Sequence, residues 1–149
     1  MEQVMVMLGY VGIFSPLALS AVGSCIGCMR AGMTACGAML DTESGYGKFI
    51  GLSVLPSSVI IYGIVIMLSL QKAAAPGSPA LFGIGFLSGV ALLYAGATQG
   101  SCCAAAINAS KSKPEIFGIS VTPAAVVEGF AVFVFVFALI LIGSITGGK

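Results

Sequence analysis

The sequence contains no histidine and no tryptophan, and only 7% of its 149 residues are charged. Without imidazole there is no His-ligated metal site and no His acid–base chemistry. A net charge of +1 leaves no basic footprint for nucleic acid. No nucleotide-binding motif is present, so nucleotide hydrolysis is not expected of this chain. Five cysteines occur, Cys25, Cys28, Cys36, Cys102 and Cys103. The Cys25–Cys28 spacing invites a metal or redox reading, but no second cysteine pair or histidine completes a zinc site. All five lie in Gly/Ala-rich helical stretches, where cysteine serves as a small apolar residue. No basic segment and no small-residue cleavage site mark the N-terminus, so the first apolar segment is expected to be a retained helix.

What the chain has in abundance is apolar sequence. It is 58% hydrophobic, with a mean hydropathy of +1.13. Runs of about 20 apolar residues read as membrane-spanning helices, the only open-ended structure that satisfies its own backbone in lipid. Four such segments are expected, at residues 4–40, 49–70, 80–109 and 117–142. Three polar, Gly- or Pro-bearing turns at residues 41–48, 71–79 and 110–115 separate them. The expected fold is an all-α membrane protein of two helical hairpins, residues 1–71 and 72–149, with both termini on one side. The first and third turns and their flanks hold Arg30, Lys48, Lys111 and Lys113, against Lys72 and Lys149 on the other side. The positive-inside rule then puts the hairpin turns in the cytoplasm.

The hairpins repeat. Gly51-Leu52-Ser53-Val54-Leu55-Pro56 recurs as Gly118-Ile119-Ser120-Val121-Thr122-Pro123, at an offset of 67. Gly23-Ser24-Cys25-Ile26-Gly27 likewise mirrors Gly96-Ala97-Thr98-Gln99-Gly100. An even number of crossings separates the copies, so this is a parallel duplication. Small residues line the first segment (Gly9, Gly12, Pro16, Ser20, Gly23, Gly27, Ala31) and the third (Gly85, Gly89, Gly96, Gly100, Ala104) at helical spacing. The second and fourth segments are bulky. Smooth helices crowded around an axis with bulky ones outside make a wedge that closes into a ring; an ordinary four-helix bundle with Gly interfaces fits the same stripes.

One acidic residue breaks the fourth segment. Glu128 stands among Val126, Val127, Gly129 and Phe130, roughly 16 to 21 Å from either end of its helix. A charge at that depth costs at least about 3 kcal/mol and stabilises nothing if unpaired, so Glu128 is expected to handle an ion. Its counterpart in the first repeat is Ile61, so the doubled unit carries one membrane carboxylate.

Over nearly its whole length the chain resembles the V-type ATPase proteolipids, the rotor-ring subunits called K in bacterial complexes and c in eukaryotic ones. The resemblance rests on the duplicated hairpin, Leu55-Pro56-Ser57-Ser58, Gly96-Ala97-Thr98-Gln99-Gly100, and a carboxylate kept only in the last helix. It implies a ring of identical copies turning against a stator membrane subunit that supplies an Arg, with central-stalk subunits at the cytoplasmic turns. It implies no cofactor, and Glu128 as carrier of the transported ion. The ligands that sodium-binding members use correspond here to Glu128, Gln99, the Leu55 carbonyl and Ser58. Tyr62, one turn beyond Ser58, is expected to offer its hydroxyl to Glu128. A helix proline removes a backbone donor, which makes a free carbonyl near Pro56 plausible. Val59 stands where those members carry a second Gln, and it offers no oxygen. The expectation is therefore H+, with Na+ as the alternative. Arg30 is expected to snorkel or meet lipid headgroups, with no ion role. The expected location is a bacterial cell membrane, with both termini outside. A more distant alternative is a small four-helix multidrug exporter. Such proteins usually carry the carboxylate in the first helix and rely on Trp, and this chain does neither.

Overall fold

The computed structural model describes residues 2–73 and 77–146. Residues 74–76 of the expected second turn, and Lys149 of the charge count, lie outside the described residues. Among the described residues, four helices are long and apolar enough to cross a membrane, Glu2–Leu40, Tyr46–Ala73, Pro79–Ser112 and Pro114–Thr146, called α1 to α4 below. At about 1.5 Å per residue, α1 reaches about 58 Å, well beyond a ~30 Å hydrocarbon core.

Two of the expected turns are shorter than their polar composition suggested. Helix α2 starts at Tyr46, after Gly45 takes the left-handed conformation at φ 86°. Helix α3 continues to Ser112, and the extended Lys113 by itself separates it from a 3-10 turn, Pro114–Ile116. Polar residues end a span in lipid, but they do not end a helix once it emerges into water, where Lys and Ser remain acceptable helix formers. The repeated prolines mark repeated irregularities. A 3-10 turn, Leu55–Ser57, interrupts α2 around Pro56, and α4 breaks at Val121 before Pro123.

Helix α1 packs most extensively along α3, α2 lies on both, and α4 lies on α3 and α2; among the described residues α1 and α4 do not meet. The two smooth stripes therefore face each other inside one chain. All seven named residues of the α1 stripe are buried, as are Gly85, Gly89, Gly96 and Gly100 of α3. The approach is close enough to exclude a methyl group. A Cβ on Gly100 would run into the Gly27 backbone, and one on Gly85 into the Gly12 carbonyl. Pro16 has no N–H to offer that carbonyl, which leaves it free to turn toward α3.

Buried apolar residues form two clusters. One, nearer the hairpin turns, holds Ala31, Phe49, Leu52, Cys103, Ile107 and Ala124. The other holds Val59, Ile66, Leu70, Leu92, Ala131 and Ala138. Glu128 falls between them on α4. The first and third turns sit side by side at one end, as parallel hairpins require. Lys111 pairs with Asp41 across them, and Lys48 stands 5.2 Å above the Phe117 ring.

Candidate functional site

The interruption at Pro56 sets the geometry of the site. Helix α2 resumes at Ser58, and Ser58 and Tyr62 follow one turn apart on the side that meets α4. Glu128 lies about 21 Å from the α4 start and about 27 Å from its end, at about 1.5 Å per residue. Its two oxygens take three hydrogen bonds from two other helices. Tyr62 Oη donates to Oε1 at 2.5 Å. Ser58 Oγ and Gln99 Nε2 reach Oε2 at 2.8 Å and 2.6 Å. Gln99 arrives on α3 and is wholly buried. Its neighbour Gly100 allows α1 close enough to seal that side.

Of the five residues singled out from sequence, four meet directly and the fifth stands one bond away. The Leu55 carbonyl is not free. It accepts the Ser58 backbone N–H and lies 3.1 Å from Ser58 Oγ. The single Ser58 hydroxyl proton can therefore serve either Glu128 or Leu55. Val59 is fully buried in the second apolar cluster. Gln99 Oε1 is buried and has no hydrogen-bond partner among the described residues. No group of three or more His, Cys, Asp or Glu that could hold a metal occurs among them.

The sequence reading missed Phe135. Its ring lies 5.2 Å from that of Tyr62 and holds the phenol against α4. The signal was available, since Phe135 follows Glu128 by two turns on one helix face. Arg30 also differs from expectation. Instead of extending toward the turns, its Nη1 donates to the Ala97 carbonyl at 3.1 Å and to Ser101 Oγ at 3.0 Å, on α3.

These features define a class: a duplicated helical-hairpin membrane protein with one hydrogen-bonded carboxylate inside its span. The family model of the ATP synthase C subunit matches residues 11–70 and again residues 82–141. The chain belongs to that family, and each match covers one hairpin. It is also 34% identical over 128 residues to the K subunit of the A-type ATP synthase of Methanocaldococcus jannaschii. That alignment takes in 83% of this chain and 56% of the relative, so the chain spans little more than half of that protein's length. The family match leaves no room for the multidrug-exporter alternative.

Proposed function

We propose that this chain is the ion-carrying, non-catalytic subunit of a rotary ATP synthase or V-type ATPase ring, and that Glu128 carries H+. The observation that supports it most is the trio of donors on Glu128, gathered from two other helices at mid-span. A carboxylate facing lipid must be neutral, and these partners suit both of its forms. Ionised, it accepts from Ser58, Tyr62 and Gln99. Protonated, it donates to Ser58 Oγ, whose own proton turns to the Leu55 carbonyl 3.1 Å away. The exchange moves hydroxyl protons and leaves the helices where they are.

In this reading identical copies form the ring, and a stator subunit supplies the Arg that favours the ionised form and releases the proton. Central-stalk subunits dock at the two hairpin turns. Those turns are cytoplasmic, by the Arg30, Lys48, Lys111 and Lys113 excess, in a bacterial cell membrane.

A second reading, with Na+ as cargo, draws on Gln99 Oε1. That buried oxygen has no partner among the described residues, and with Glu128, Ser58 and the Leu55 carbonyl it would offer oxygens to a cation. Against it stands Val59, buried and without a donor atom. Carbodiimide modification of Glu128 in membranes separates the two. With H+ as cargo, millimolar Na+ at neutral pH leaves the labelling rate unchanged, whereas protection assigns Na+. Native gel electrophoresis tests the ring, because a dimer in mild detergent refutes it.

A further inference from the structure

A cavity lies between the first and third turns, away from the carboxylate. It holds about 150 Å³. Sites for drug-sized ligands start at about 300 Å³, so this one suits a single small group. Its charged lining is of one sign. Lys48 enters from the first hairpin and Lys111 from the second, and no carboxylate lines it. Asp41, Glu43 and Glu115 stand in the same turns. Among the described residues only Asp41 pairs with either lysine, meeting Lys111 from outside the lining. Lys48 is held 5.2 Å above the Phe117 ring, which fixes its ammonium group without giving it an oxygen acceptor. Thr42 and Ser110 also line the cavity, but their hydroxyls donate to the Ala38 and Ala106 carbonyls. The side-chain donors left for a ligand are the two ammonium groups and the exposed Ser44 hydroxyl at the rim.

Depth narrows the ligand. Lys48, Lys111 and Phe117 stand about 15 to 18 Å toward the turns from the level of Ser58, Gln99 and Glu128, at about 1.5 Å per residue. With Glu128 near the midplane, the hydrocarbon core ends about 15 Å away and the headgroup layer extends to about 20 Å. The cavity therefore opens where lipid phosphates lie. Basic pockets between spans at this level suit anionic headgroups. We infer that this cavity binds the phosphate group of an anionic phospholipid from the leaflet on the turn side, bridged between Lys48 and Lys111. The bound phosphate ties the first hairpin to the second at the membrane surface. The inference needs only the four spans and holds with either H+ or Na+ as the carried ion.

Native mass spectrometry and thermal unfolding of the delipidated native oligomer in mild detergent test this. The probes are short-chain phosphatidylglycerol, phosphatidylcholine of the same chain length, and inorganic phosphate, at equal concentrations. Phosphatidylglycerol is expected to bind at one copy per chain and to raise the unfolding temperature. Lys48→Ala removes one ammonium group, and Ser44→Glu sets a carboxylate at the rim; each should weaken binding on the order of tenfold. Lys113→Ala removes an equal charge from the same turn but outside the lining, and is expected to bind as the native chain does. Ser44→Glu keeps both lysines and the Lys48–Phe117 contact, so it tests the cavity even where Lys48→Ala fails to assemble. Equal binding by the native chain and Ser44→Glu overturns the site. An equal loss in Lys113→Ala and Lys48→Ala assigns the binding to general surface charge and also overturns it. Stabilisation by inorganic phosphate as great as by phosphatidylglycerol assigns free phosphate and overturns the lipid, and equal stabilisation by phosphatidylcholine overturns the requirement for an anionic one.

Discussion

Replacing Gly100 by alanine should damage the helix packing and the carboxylate site together. The added Cβ would lie 2.5 Å from the Gly27 carbonyl carbon, with the Gly27 Cα and oxygen closer still. Carbon atoms settle about 3.5–4.0 Å apart, so α1 and α3 must separate by about 1 Å. Overpacking of this kind costs about 1–3 kcal/mol. The neighbouring Gln99 moves with α3. Its 2.6 Å bond to Glu128 would stretch to roughly 3.6 Å, beyond hydrogen-bond range. A hydrogen bond to a charged group contributes about 1.5–3 kcal/mol, so the loss should change the carbodiimide reactivity of Glu128 on the order of tenfold or more. Gly32→Ala is the matched control, because its Cβ meets nothing within 4 Å. The measurements are thermal unfolding in detergent and the labelling rate of Glu128. If Gly100→Ala unfolds at the Gly32→Ala temperature and labels at the native rate, the close α1–α3 approach is refuted.

Other variants probe single contacts. Tyr62→Phe removes the 2.5 Å bond to Oε1 but keeps the ring against Phe135; the complex should assemble normally and lose on the order of tenfold in ion-transport rate. Glu128→Gln should assemble into the same native oligomer yet show no carbodiimide labelling and no transport; residual labelling would point to another reactive carboxylate. Arg30→Met removes two interhelical bonds, each worth about 0.6 kcal/mol in membranes; a small fall in unfolding temperature with transport intact is expected. Lys111→Ala breaks an ion pair whose side chains are 33% and 58% exposed; surface pairs contribute about 0–1 kcal/mol, so detergent unfolding should barely move.

Much of the architecture was set by composition and repetition. Apolar runs of membrane length admit little but helices, because a backbone in lipid must bond to itself. The Gly51–Pro56 and Gly118–Pro123 repeat exposed the duplication, and the isolated Glu128 stood out by its depth. Helical spacing also put Ser58 and Tyr62 on one face, since that relation is local. The partners contributed by other helices were harder to read. Gln99 lies 29 positions from Glu128, and it entered through the resemblance, since spacing within one helix could not supply it. Phe135 shares a helix face with Glu128, but its contact with the Tyr62 ring joins two helices and is set by packing.

What the sequence by itself determined is the inventory: four spans in two like hairpins, with one carboxylate near the middle of the last. The tertiary structure decided what that carboxylate touches and which smooth faces meet. Stripes on α1 and α3 could have pointed to a shared axis or to each other, and only the packing of the two hairpins turned them inward. The same packing covers Val59, Gly63, Ile66 and Leu70 but leaves their counterparts in the second hairpin, Val126, Phe130, Phe133 and Phe137, open. Near-equivalent sequence faces thus receive opposite environments, because a chain of two hairpins has only one internal seam between them.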